Sequence, residues 1–469
     1  MKRLSIACLL LLLAGCATYT AKPIDPGAQQ TAIESRRLDA PDVRQFFARS
    51  LGHEVTVWPP ESWGLDELTL AAFHYHPDLD RAQARSLAAE AAIVTAGAHP
   101  NPTMGLSFQP NIGAPPGMAP WTRTLSLAVP VETAGKRDYR IETAQHLAQA
   151  AKLQEAETVW QVRSRVRADL LAANPTEAQL ARQRDLQEEI THILERRFAV
   201  GYVSQPELTQ ARLALNRAVL ALRQNQKQHA ENLARLAAAV GVPAAAIDGT
   251  AISFDDFEQL PPVAVLPPAA VRREALLSRP DVLATLADYE ASQSALQLEI
   301  AKQYPDVSLG PGYTWDTGTV LWSLVLSFDL PMNRNQGPIA EAEARRKAAA
   351  AAFLSVQARA IAEVDEALAG YGRAIQMFEA ADTLLRDQQK NARAVAAAFK
   401  FGEADRLAWL SAQYETVTTE LARIDALSQA QQSLGRLENA LRRPIGAHAL
   451  GVTAEQVIES KSHQDGERP

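Results

Sequence analysis

Of the 469 residues in this chain only 2 are cysteine and 9 histidine, the side chains most often used as nucleophiles and metal ligands. The only thiols are Cys8 and Cys16, and the histidines are dispersed. His74 and His76 lie two apart in a helical pattern, so their rings point to different faces and cannot share one metal. Both read as surface histidines. His146, His192 and His229 fall along further helical stretches and read as surface or seam residues. No Gly-rich phosphate loop and no nucleophile motif is present. The sequence therefore predicts no catalytic residue, no metal site and no cofactor. Its formal charge of −7 comes without a basic patch, which argues against nucleic acid as a partner.

The cysteine with a chemical role is Cys16. Lys2 and Arg3 precede an apolar run at 9–13 that is too short to span a bilayer, and the run ends in Leu13-Ala14-Gly15-Cys16. This string resembles the bacterial lipobox, in which the signal is cut before the cysteine and the thiol is acylated. Residues 1–15 are thus expected to be a lipoprotein signal peptide, with a covalent lipid on Cys16. Loss of Lys2 and Arg3 takes the formal charge to −9. Ala17 follows Cys16, where Asp is the usual inner-membrane retention signal, so an outer-membrane destination is expected. Cleavage also removes Cys8 and leaves no pair for a disulfide.

The rest of the chain reads as scaffold in two copies. Residues 16–62 are polar and proline-interrupted, and are expected to form an extended, lipidated arm. A first repeat, 63–242, holds a helix at 65–98, strands at about 102–109 and 121–130, a long helical stretch at 136–200 that Pro175 kinks or breaks, and a helix at 205–240. Residues 243–268 form a Pro/Gly-rich linker. The second repeat, 269–443, holds a helix at 269–302, strands at about 306–315 and 320–330, and helices at 339–401 and 403–442. The tail is 444–469, and 460–469 reads as disordered. His76-Pro77-Asp78 and Arg279-Pro280-Asp281, His99-Pro100 and Tyr304-Pro305, Pro130 and Pro331, Gly201 and Gly402 are offset by 203, 205, 201 and 201 residues. So constant a spacing implies an internal duplication.

Each predicted strand alternates between apolar and small polar residues. Met104, Leu106 and Phe108 alternate with Thr103, Gly105 and Ser107. Leu125 and Leu127 alternate with Thr124 and Ser126. Leu309, Tyr313 and Trp315 alternate with Ser308, Gly310, Gly312 and Thr314. Trp322, Leu324, Leu326 and Phe328 oppose Ser323 and Ser327. Period two marks strands, and aromatic residues near the strand ends suit a membrane interface. The apolar set is expected to face lipid, with Arg123, the mismatch, near an interface. The run 339–401 favours helix throughout and would span about 95 Å. Leu407, Leu410, Tyr414, Val417, Leu421 and Ile424 make a coiled-coil seam.

Four strands cannot close a barrel, and lipid cannot satisfy an open edge. Either the strands are not transmembrane or several chains share one barrel. Eight strands leave an interior filled by side chains, so a conduit favours three copies or more. The residues alone thus predict an α+β class, mostly α, built from a duplicated helix–hairpin–helix–helix unit, its strands either outside the membrane or in a barrel shared between chains.

From 65 to 442 the chain resembles the TolC-like outer-membrane efflux factors. The lipobox, the duplicated unit and local strings carry the resemblance. Pro331-Met332-Asn333-Arg334-Asn335-Gln336-Gly337 is similar to a string of the CzcC and CusC heavy-metal branch. Gly201-Tyr202-Val203-Ser204 followed by Leu208-Thr209-Gln210-Ala211-Arg212 is similar to the family's first periplasmic turn, and Gly402 with Leu410 and Ala412 to its second. The resemblance implies a homotrimer with a shared twelve-strand β-barrel continued by a long α-helical barrel across the periplasm. It implies a passive outer-membrane exit duct for metal cations or drugs, with no enzymatic activity. The implied partners are a periplasmic adaptor and an inner-membrane pump of the resistance-nodulation-division type. Val200, Gly201, Tyr202, Ser204, Phe401 and Gly402 would form the adaptor-contacting tip. The family's paired entrance aspartates fall here on Ala408 and Ser411, so Glu403 and Asp405 are the expected acidic collar; the bland alternative is that they cap the following helix. A lipid-anchored coiled-coil scaffold without a pore is the competing function, weakened because 243–268 is too short for a lipoyl-like module.

Overall fold

Prolines set the breaks between helices. The structure, a computed structural model, describes residues 18–110, 112–113, 117–118, 120–262, 269–316, 318–445 and 454–467. The signal peptide and Cys16 lie outside the described residues. The described residues begin with two helices, α1 (Pro26–Glu34) and α2 (Pro41–Leu51). They correct the expectation of an extended arm. Val43, Phe46 and Phe47 share one face of α2 and are buried, because spacings of three and four place them on a single stripe.

The helix expected over 65–98 is two helices, α3 (Leu65–Tyr75) and α4 (Pro77–Ala96). Pro77 has no N–H to donate into the last turn of α3, but fits the first turn of α4. In the second half α8 (Ala269–Ser278) and α9 (Pro280–Ala301) divide at Pro280 in the same way. The junctions are buried, which corrects the reading of two surface histidines. His74 and His76 are each 4% exposed. His74 lies 3.1 Å from the Asp42 carboxylate of α2, so the unforeseen helix is what covers it. His76 accepts the Asp78 backbone N–H at 3.2 Å and caps α4. Burial pushes its imidazole below the ordinary value, against the pull of Asp78. Arg279, its counterpart, clasps Asp281 through hydrogen bonds of 2.9 and 2.6 Å.

Strands β1 (Thr103–Pro110), β2 (Trp121–Val131), β3 (Val307–Asp316) and β4 (Thr319–Phe328) form one antiparallel sheet in sequence order. The two hairpins join through β2 and β3, with Leu125 opposite Tyr313 and Val129 opposite Leu309. Directly opposed residues share a face. The register therefore gathers Met104, Leu106, Phe108, Leu125, Leu127, Leu309, Tyr313, Trp315, Trp322, Leu324, Leu326 and Phe328 on one face, as the alternation predicts. Arg123 shares it near the start of β2, with its guanidinium 5.3 Å from the Trp315 ring centroid. That cation–π contact gives the mismatched charge a partner. Gly310 permits close strand approach, since a Cβ there would lie 2.7 Å from the Leu127 carbonyl oxygen. β1 and β4 form the outer edges of the sheet.

Below the sheet run α5 (Lys136–Ala172), α6 (Glu177–Ala199) and α7 (Gln205–Val240) in the first half, and α10 (Gln336–Lys400) and α11 (Arg406–Leu441) in the second. Pro175 breaks its helix outright, and Asn232 of α7 donates to the freed Ala172 carbonyl. α10 has no such break. Its 65 residues make about 97 Å. Lys136 ties the start of α5 to the segment between α9 and β3, donating to the Tyr304 carbonyl at 2.6 Å and to Asp306 at 2.7 Å.

Apolar side chains from α2, α3, α5 and α7 form the first core. A second joins α8, α10 and α11 around Tyr371. The predicted seam is the third: Leu410 and Val417 of α11 pack on Leu186, Ile190 and Ile193 of α6. Charges cross-link the halves within this interior. Glu438 of α11 lies 3.1 Å from Arg167 and 3.6 Å from Arg163, all three side chains being under a tenth exposed. Arg167 also donates twice to Gln431 at 2.9 Å. Within the tail, Ala454–Glu467 form a helix, α12, so that 460–467 are helical where disorder was expected. Its Lys461 is buried, donating to the Phe73 carbonyl at 3.0 Å and meeting Asp80 at 2.8 Å.

Candidate functional site

Two places carry the features a function needs: the sheet and the far helix turns. At the first turn the chain leaves α6 through Gly201, whose φ of +78° is one that side chains strain to adopt. The Gly201 and Tyr202 amides donate back to the Phe198 and Arg197 carbonyls at 2.9 and 2.8 Å, a helix C-cap closure. Ser204 then caps α7 in a reciprocal box with Glu207. The second turn repeats the device. Gly402 has φ +79°, and Glu403 N donates to the Ala398 carbonyl at 2.8 Å. Asp405 caps α11 by accepting the Ala408 N–H at 2.8 Å. Val200, Tyr202 and Phe401 are 68%, 83% and 77% exposed, so each turn offers an apolar side chain outward.

The two carboxylates after Gly402 are not equivalent. Asp405 pairs with Arg197 of α6 at 2.6 Å, and that guanidinium, with the Ala408 N–H, holds its carboxyl below the usual 3.8. Glu403 is exposed. Arg406 pairs with Glu189, about two helical turns further along α6. Two ion pairs thus fasten the start of α11 to the end of α6. Such exposed pairs are worth at most about 1 kcal/mol each and are screened by salt. Arg197→Ala with Arg406→Ala is expected to raise chymotryptic nicking at Tyr202 and Phe401 several-fold, as 1 M salt would in the native chain. Because the Asp405 carboxyl is depressed, its pair persists above the ordinary carboxylate range and is lost only as pH falls through the lower folded value. Acidification to pH 5 should leave the ratio of nicking between variant and native chains unchanged. Equal nicking of variant and native chains would refute the latch.

The sheet presents an apolar face and a small polar one, with open outer edges at β1 and β4, above two helical hairpins that end in matched glycine turns. The sequence model of a family described as "Outer membrane efflux protein" matches residues 71–242 and 271–442. The chain belongs to the outer membrane efflux protein family. That is a family of transport channels, which places this member in the outer membrane with its helices reaching into the periplasm. Outer membrane protein OprJ of Pseudomonas aeruginosa is 28% identical over 180 residues, covering 36% of this chain and 38% of OprJ. The pyoverdine export outer membrane protein OpmQ of the same organism is 28% identical over 333 residues, 66% of each chain. The chain thus spans less than two thirds of the length of either relative. A solved structure of CusC shares the fold at TM-score 0.63 and 18% identity, over 80% of this chain and 91% of that one.

The string at 331–337 has a conformational basis. Arg334 and Asn335 both take positive φ, 46° and 53°, a region that Asn tolerates better than most residues. Asn335 also donates to the Glu299 carbonyl at 2.7 Å, fixing the start of α10 to the end of α9. Sequence reasoning missed Arg197, Glu189 and Arg406, since nothing local pairs residues 208 and 217 apart. It also missed Leu321 and Val325, which share parity with Ser323 and break the alternation of β4. That signal was visible.

Proposed function

We propose that this chain is the passive exit duct of a tripartite efflux system. Three copies pair β4 of one with β1 of the next into a twelve-strand barrel, and their helical hairpins close a tube across the periplasm. The outer edges of the four-stranded sheet carry this reading. An outward apolar face demands lipid, and lipid satisfies no unpaired N–H or C=O. Three copies, unlike two, leave room for a lumen, and the opposite face of the sheet supplies the small polar wall that a wet lumen requires.

In this reading the chain carries out no reaction, holds no metal and binds no cofactor. Cys16 carries the lipid anchor. A periplasmic adaptor docks on Val200, Gly201, Tyr202, Ser204, Phe401 and Gly402, and an inner-membrane pump of the resistance-nodulation-division type supplies the energy. Glu403, in three copies, forms the acidic collar at the entrance; the Arg197 pair leaves Asp405 a smaller part in it. Metal cations or small organic molecules are the cargo. The likeness to OpmQ, whose name states pyoverdine export, favours the organic class.

The test is protein purified from outer membranes, run in SDS without boiling, weighed for acylation of Cys16, and fused with planar bilayers. A trimer with a lipidated N-terminus and small, discrete openings is expected. A silent monomer would overturn the duct and leave a lipid-anchored scaffold.

A further inference from the structure

The small polar face of the sheet is not uniform. By register it carries Gly105 and Ser107 of β1, Thr124 and Ser126 of β2, Ser308 and Gly312 of β3, and Ser323 and Ser327 of β4. Leu321, opposite Thr314, and Val325, opposite Gly310, lie on the same face. Among the described residues they are its only large aliphatic side chains. They stand about 13 Å apart along one strand. The face also holds one charged group among the described residues, Asp316 at the hairpin end. Asp316 lies opposite Thr319, about 7 Å along β4 from Leu321, and accepts the Thr122 hydroxyl at 2.7 Å.

Packing within the chain does not account for the two aliphatic residues. Gly310 offers Val325 no side chain, and Leu321 and Val325 remain 54% and 55% exposed. A neighbouring β1 would bring only Thr103, Gly105, Ser107 and Gln109 to this face, too little apolar surface to cover them. A carboxylate and an aliphatic strip on one wall match a solute that joins a positive charge to an apolar body. A hydrated metal ion meets the carboxylate but gains nothing from the strip.

We infer that Leu321, Val325 and Asp316 form a retention strip for amphipathic organic cations on the lumen wall, so that the barrel itself discriminates among solutes. The inference rests on the duct reading above. Each passing solute sheds water from part of its apolar surface against Val325 and Leu321 in turn, and its charge comes within reach of Asp316 at Leu321, about 7 Å away, and not at Val325, about 20 Å away. Contact lengthens its residence near the outer mouth. The strip is a selectivity element of the wall and involves no covalent step.

Tetraphenylphosphonium and tetraethylammonium carry the same charge but differ in apolar surface. The test uses full-length protein bearing Arg197→Ala and Arg406→Ala, which relax the tip, in planar bilayers in potassium chloride. Each probe is added at the barrel mouth, and block is scaled to each channel's own potassium current. Tetraphenylphosphonium is expected to interrupt the current, with dwell times about five- to tenfold shorter in Leu321→Thr/Val325→Thr, the effect of losing contact with one or two methylene equivalents. Tetraethylammonium should leave no resolved interruptions in either. Val325→Thr alone, nearly the same shape and still β-branched, should give an intermediate loss and guards against a misfolded double variant. Asp316→Asn should shorten tetraphenylphosphonium dwell times as well. Equal dwell times in the parent and every variant would overturn the strip while leaving the duct intact. No potassium current from the relaxed parent would overturn the duct reading and the strip with it.

Discussion

Leu324→Arg should destabilise the assembled barrel by about 2–4 kcal/mol per chain, and Ser323→Arg, one residue away, by far less. Leu324 lies mid-strand on the apolar face and is 72% exposed, so an arginine there would sit in hydrocarbon. Ser323 points to the other face, opposite Gly312, where a wet lumen can solvate the charge. The comparison isolates the period of two from general damage to β4, since both variants place the same side chain on the same strand. The readout is the fraction of oligomer surviving SDS as temperature is raised. Loss with Leu324→Arg and survival with Ser323→Arg is the expected pattern. Equal loss in both would mean that the apolar face does not meet lipid.

Glu438→Leu should cost about 3–5 kcal/mol, the usual consequence of taking one partner from a buried ion cluster. Arg163 and Arg167 would then hold two positive charges in an interior with no carboxylate at their centre. Burial already works against the charge on Arg167, and Asp256 supports that charge less than Glu438 does. Gly435 leaves no slack either, because a side chain there would run into the Arg167 guanidinium. Thermal unfolding in detergent is the measurement, with a large fall in Tm and early loss of the α5–α11 contact expected. A variant as stable as the native chain would show that the cluster is solvated and the halves are held by apolar packing alone.

How much was legible from sequence follows from the range of each interaction. The strands were readable because alternation is local, and Phe108 or Trp322 declares its face through its immediate neighbours. The turns were readable because only glycine readily adopts the backbone of Gly201 and Gly402. The seam on α11 was readable because Leu410 and Val417 repeat in step with the helix. The buried histidines were not, since what covers His74 is a helix 32 residues earlier whose polar sequence looked like a loose arm. Lys461 was lost the same way: its partner carbonyl on Phe73 is 388 residues distant. At the tip, the glycines were found but the latch was not, because Arg197 and Asp405 belong to different halves.

The two halves differ mechanically. α10 is one unbroken rod, whereas α5 and α6 meet at a joint of four residues, 173–176. In a ring of copies, stiff rods would alternate with articulated ones around the circumference. Turning one end of such a ring against the other loads the rods in torsion, while the joints yield. The compliance of the whole tube then depends on Ala173, Asn174, Pro175 and Thr176, far from either mouth, and lengthening or stiffening that short joint would change how far a given push can twist the tip.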